Sequence, residues 1–139
     1  MKKLTLKELN ELNKLNSLNK LLKVIELLRH PTNGCPWDIA QTFETLSNFP
    51  IEEAYELQNA INNKDIKNIK EELGDLLFSI INLSRHLEID ASEAINQANH
   101  KFEKRFTLME EEVAKDNQEI ENLTLVELEE FWFKIKSHE

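Results

Sequence analysis

The sequence has two glycines, three prolines and one cysteine in 139 residues. So few turn formers, beside abundant Leu, Glu, Lys, Asn and Ile, predict an all-α protein of long helices joined by few turns. A single cysteine, Cys35, excludes an internal disulfide. No apolar run approaches the roughly 18 residues that cross a bilayer, so no membrane partner is expected. The opening MKKLTLKELN lacks the apolar core of a signal peptide, and the expected home is the cytoplasm. Basic residues are also scarce: 17 Lys and Arg stand against 26 Asp and Glu, for a formal charge of −9. That balance argues against nucleic acid as a partner, because phosphate neutralisation needs basic stripes. A nucleotide stays admissible, since a metal can neutralise its charge.

The length suits one domain plus a helical extension, enough to bury a sizeable core. We expect an N-terminal helical extension over 1–19 and one domain over 20–139. TLKE at 5–8 has the form of a capping box, and Leu6, Leu9, Leu12 and Leu15 recur at helical intervals. This predicts one helix or two, continued by Leu18, Leu21, Leu22, Ile25 and Leu28 up to Pro31. HPTNGCPWD at 30–38 concentrates proline, glycine, cysteine and tryptophan and predicts a shaped loop rather than a helix. Helix signals resume near Pro50 and run to Asn62. Asp65 is placed to cap a longer, central helix whose Ile66, Ile69, Leu73, Leu76, Leu77, Ile80, Ile81, Leu83 and Leu87 predict burial on more than one side. Asp90 or Ser92 can cap a further helix to about Lys115, and Thr124 with Glu127 forms a last capping box.

EEAYE at 52–56 and EELGD at 71–75 are built alike. On a helix Glu53 and Glu56 share a face, Glu52 joins Glu56 from four positions away, and Glu72 with Asp75 repeats the arrangement. Like charges so spaced cost about 0.2–0.5 kcal/mol per pair. Only Lys67, near Glu71, offers an opposite charge three or four positions away. A short connection lets the two helices pack antiparallel and bring their acids together. Oxygen donors without His or Cys point to a hard divalent cation, Mg²⁺ or Mn²⁺. Gly74, a costly helix residue by about 1 kcal/mol, leaves room between Glu72 and Asp75 for a backbone or ligand. The plainer reading is a solvated acidic face, which suits MEEEV at 109–113 better than the doubled pattern. A di-iron bundle is excluded: His30, His86, His100 and His138 follow Leu27, Leu83, Gln97 and Ile135 rather than a glutamate three positions earlier.

Lys101 and Arg105 lie four apart on one helical face, either solvated or able to grip phosphate oxygens. Trp132 is a core aromatic or a stacking platform for a base, and Trp37 carries the same ambiguity. Cys35 reads as a small buried residue rather than a nucleophile.

LLRHPTNGCPWDIAQTFETL, PIEEAYELQNAI, EELGDLLFSIINL and ANHKFEKRF together resemble the MazG family of nucleoside triphosphate pyrophosphohydrolases, over roughly residues 20–136. The specific elements are EExxE and ExxD, with 15 residues between Glu56 and Glu72, preceded by GCPWD and a Gln-Thr pair. The resemblance implies an all-α enzyme, a homodimer or higher homo-oligomer, that cleaves (d)NTPs to the monophosphate and pyrophosphate with Mg²⁺. It implies Glu53, Glu56, Glu72 and Asp75 as metal ligands. Glu52 is implied as the acid that positions or deprotonates the attacking water, with a ligand role also open. Lys101 and Arg105 would sit near the phosphates and Trp132 on the substrate side, while base and sugar selection would fall to Trp132 and the 30–45 loop. Two departures bear on substrate range: TLMEEEV replaces the His-Pro-His segment of many members, and there is one unit rather than two. Two other readings are a catalytically inactive nucleotide-binding protein and an acidic helical interaction module.

Overall fold

The computed structural model describes residues 11–138, among which there is no strand. Seven helices follow in order: α1 (Ser17–Leu28), α2 (Pro36–Ile39), α3 (Phe43–Leu46), α4 (Phe49–Asn62), α5 (Ile66–His86), α6 (Ala91–Lys115) and α7 (Leu125–Ser137). A 3₁₀ turn, Ile120–Asn122, precedes the last. The chain divides into two compact units, Met1–Ala91 and Ser92–Glu139. The all-α expectation holds. The capping box expected at 5–8, with Leu6 and Leu9, lies outside the described residues.

Within the described residues the leucine-rich segment is broken by a turn. Residues 11–13 are helical, the chain turns, and Asn16 restarts it by accepting a hydrogen bond from the Asn19 N–H at 2.9 Å. Asparagine suits this cap because its short amide takes up an N–H that the first turn leaves unpaired. The expected boundary between residues 19 and 20 falls inside α1. Ile25 is fully buried against Ile81 and Ala91, with Leu21 and Leu22 packed around them.

After α1 the chain folds back on the helix end. The Gly34 N–H donates to the His30 carbonyl and the Cys35 N–H to the Leu28 carbonyl, both at 2.7 Å. A Cβ at Gly34 would sit 2.3 Å from the Leu28 carbonyl oxygen and 2.5 Å from that of His30, so only glycine permits the closure. The segment 30–38 is not loop throughout, as the sequence suggested. Pro36 opens α2, because its fixed φ and missing N–H suit a first helical turn. That turn buries Asp38 at 4% exposure. α3 follows a capping box of Thr42 and Thr45 and packs against α4 and α5.

α4 carries proline in its first turn, as expected, and α5 is capped by Asp65, whose carboxylate accepts from the Asn68 N–H at 3.1 Å. Between them Lys64 adopts φ 56°, in the left-handed region. The Lys64 N–H donates to the Ile61 carbonyl and the Asp65 N–H to the Ala60 carbonyl, the pairing of a Schellman motif. The helices thus form a hairpin, and they pack along each other. Glu88 and Asn117 close α5 and α6 with the same two bonds and φ of 57° and 54°. In a chain with two glycines, these positions fall to residues that adopt φ > 0 at some cost.

α5 is buried on more than one side, as expected, but largely not through the apolar residues counted for it. Its buried positions are Ser79, Ile81, Asn82 and His86, whereas Leu73, Leu77 and Ile80 are exposed. The reason lies outside the helix: α1 covers Ile81, the returning segment around Asp38 covers a polar face, and no described part of the chain covers Leu73, Leu77 and Ile80.

The second unit has its own core of Met109, Val113 and Ile135, surrounded by Leu128, Phe131 and Trp132 among others. α7 begins at the Thr124–Glu127 capping box read from the sequence. Of the MEEEV acids, Glu112 is ion-paired rather than simply solvated, bridging Lys115 and, at 2.9 Å, Lys134.

Candidate metal centre

The hairpin of α4 and α5 is what assembles the acids. Glu53 and Glu56, one turn apart on α4, meet Glu72 on α5, and one carboxylate oxygen from each lies within 4.8 Å of the other two. Asp75 stands outside this trio, but its charge acts on both Glu53 and Glu72. Partial burial, then the charges of Glu56, Asp75 and Glu52, push the Glu53 carboxyl above its ordinary range. Glu72 is raised in the same way, by burial and then by Glu56, Asp75, Glu53 and Glu71. Glu52 is exposed and contributes charge without joining the trio. None of the ion pairs among the described residues reaches these acids, Lys67 and Glu71 included. Three converging carboxylates, mutually repelling and without basic partners, form a donor set that can hold a metal ion. Oxygen-only donors fit a hard divalent cation.

Gly74 sits beside this cluster with nothing of the chain within 4 Å of where a Cβ would be. No described backbone outside its own helix approaches it.

The acids continue into a polar stripe that sequence reading missed. Glu72, Asp75, Ser79, Asn82 and His86 follow at spacings of three and four, one face of α5. The same spacing was legible as polar residues interrupting an apolar run. Asn82 is 8% and His86 5% exposed. Burial and the Arg29 guanidinium lower the His86 pKa, opposed by Asp38. Asp38 Oδ2, Asn82 Oδ1, His86 Nε2 and Arg29 Nη1 are buried with no hydrogen-bond partner. Between this stripe and the returning segment lies a cavity of about 230 Å³, lined by Trp37, Asp38, Ser79 and Asn82 and also by Glu53 and Asp75.

The remaining expected site residues belong to the second unit. Lys101 and Arg105 lie on α6, the first exposed and the second half-buried. Trp132, on α7, packs on the core of that unit with its ring 5.5 Å from that of Phe102. It is half-buried there. Cys35 is half-buried.

Helical hairpin and carboxylate cluster together define an all-α protein with acids placed so that they could hold a cation, and known proteins resemble this chain. Residues 41–107 match the family model of the MazG nucleotide pyrophosphohydrolase domain. The chain is thus similar to that domain over just under half of its length. It is similar to the nucleoside triphosphate pyrophosphohydrolase/pyrophosphatase MazG of Thermotoga maritima, at 47% identity over 85 residues, 61% of this chain and 32% of that protein. It is also similar to the nucleoside triphosphate pyrophosphohydrolase of Escherichia coli K12, at 47% over 57 residues, 41% of this chain and 22% of that one. The chain thus spans a third or less of these relatives. Among solved structures, the crystal structure of a mazG-related protein from Thermotoga maritima superposes with a TM-score of 0.62 at 28% identity, covering 86% of this chain and 98% of that one.

Proposed function

We propose that this protein is a Mg²⁺-dependent nucleoside triphosphate pyrophosphohydrolase that cleaves (d)NTPs to the monophosphate and pyrophosphate. The observation that carries this reading is the meeting of Glu53, Glu56 and Glu72 without a basic partner, in a chain similar to the MazG domain. Relatives named for that activity support the reaction class.

Glu53, Glu56, Glu72 and Asp75 would hold the cation, Mn²⁺ serving in place of Mg²⁺. When bound, the cation supplies charge neutralisation at the phosphates and activation of water. Glu52, exposed beside the trio, positions or deprotonates the attacking water for in-line displacement at the α-phosphorus. Lys101 and Arg105 offset charge on the β and γ phosphates, and Trp132 belongs to the substrate side. The exposed Leu73, Leu77 and Ile80 of α5 favour a homodimer or higher homo-oligomer built on that helix.

Incubation of the purified protein with each (d)NTP and Mg²⁺ should release pyrophosphate and the monophosphate. Release of orthophosphate alone, or no turnover with any triphosphate, removes the assignment.

A further inference from the structure

Asp38 and Asn82 are each more than nine-tenths buried, and each keeps an acceptor oxygen with no hydrogen-bond partner. Leaving such groups unpaired is unfavourable, and native structures rarely do so without a reason. Both residues line the cavity of about 230 Å³ that Glu53 and Asp75 also line. Ser79, also lining the cavity, commits its hydroxyl proton to the Leu76 carbonyl at 2.8 Å, so its oxygen is left as an acceptor only. Opposite in character are the rings of Trp37 and Phe49, which line the cavity with centroids 6.1 Å apart. The cavity is smaller than the roughly 300–1,000 Å³ of sites that enclose a whole drug-sized ligand. It suits one ring system, with the rest of the ligand reaching the acids.

We infer that this cavity selects the base of the nucleotide, and that Asp38 and Asn82 favour a base presenting an exocyclic amine, cytosine or adenine, over uracil or thymine. The inference rests on the proposed activity for the placement of the phosphates. Its chemistry is donor against acceptor. The N4 amine of cytosine and the N6 amine of adenine each offer two N–H groups, whereas uracil and thymine place the O4 carbonyl there. A carbonyl oxygen facing a carboxylate and an amide oxygen pairs with neither and leaves all of them desolvated. Trp37 and Phe49 supply apolar ring surface, which every base accepts, so the discrimination falls to the two acceptors.

The sharpest pair is dCTP against dUTP, which carry an amine and a carbonyl at position 4 and differ otherwise only in the proton on N3. Steady-state kinetics with Mg²⁺ should give kcat/KM for dCTP or dATP at least about tenfold above that for dUTP and dTTP. The dCTP and dATP arms separate a pyrimidine from a purine pocket. Asp38→Asn replaces one acceptor oxygen by a donor and should narrow the gap toward uracil, as should Asn82→Leu, which removes the other. Calorimetric titration without metal, using dCMP, dAMP, dUMP and dTMP, reads the same preference independently of turnover. If no triphosphate is hydrolysed, the proposed activity fails, while monophosphate binding still decides the cavity. Equal kcat/KM and equal monophosphate binding across amino and carbonyl bases overturn the inference. So does a lowered Tm in Asp38→Asn and Asn82→Leu with an unchanged dCTP-to-dUTP ratio, which would make the two residues parts of a buried network alone. Should Asp38→Asn fail to fold, the wild-type ratio and Asn82→Leu carry the same test.

Discussion

Glu53 on α4 and Glu72 on α5 hold carboxylate oxygens within 4.8 Å of each other, and the Glu53 charge raises the proton affinity of Glu72. Two groups so placed repel in the metal-free protein and attract a cation jointly. Neutralising either should therefore have opposite effects on folding and on function. Glu53→Gln and Glu72→Gln are expected to keep or raise the Tm without Mg²⁺, to lose the Mg²⁺-dependent rise in Tm, and to lower kcat about a hundredfold or more. Wild-type activity in either variant removes that residue from the metal centre.

Glu52 separates binding from chemistry. It touches the trio by charge alone, and its proposed task is the water. Glu52→Gln should keep the Mg²⁺-induced thermal shift yet reduce kcat by about 10²–10⁴. Loss of the thermal shift would instead place it among the ligands.

The two glycines should respond in opposite senses to alanine. A Cβ at Gly34 meets carbonyl oxygens at 2.3 and 2.5 Å, and Gly34→Ala should cost about 1–3 kcal/mol in chemical denaturation. Gly74 faces open space, so Gly74→Ala should gain about 1 kcal/mol. If a ligand uses the room beside Glu72 and Asp75, the same change lowers kcat/KM. A stabilised variant with undiminished kcat/KM would show that the room serves no ligand.

Stability toward acid should depend on Glu112. Hydrogen bonds from Lys115 and Lys134 hold its carboxyl down at about 2 against 4.5 ordinarily. A depressed folded pKa contributes stability above the unfolded value and loses it as pH falls through the folded one. Between pH 4.5 and about 2, wild-type Tm should fall further than that of Glu112→Gln. Parallel falls would mean that solvent screens the two bridges completely.

Leu73, Leu77 and Ile80 lie on one exposed face of α5, Leu77 at 55% exposure. Leu77→Lys should shift light-scattering mass toward the monomer if that face joins subunits. A wild-type protein that is monomeric at all concentrations sinks the assembly.

Local chemistry was legible in the sequence: the Asp65 cap, the Thr124–Glu127 box, the proline in the first turn of α4, and the convergence of the acids. What escaped it depended on distant segments or on unusual partners. The α3 box uses Thr45 where Glu or Gln is the usual signal. The leucine stripe continues across the break at Asn16, so periodicity could not reveal it. On α5 the apolar count promised burial, but the segment through Asp38 decided which face is covered, and it chose Ser79, Asn82 and His86.

The turn at Lys64 fixes where α4 ends and α5 begins, through the Lys64 N–H bond to the Ile61 carbonyl and the Asp65 N–H bond to the Ala60 carbonyl. It therefore acts as the ruler that sets which rung of one helix faces which rung of the other. Adding a single residue between Glu56 and Glu72 would turn one carboxylate by about 100° around its helix axis. The connection tolerates a change of side chain far more readily than a change of length.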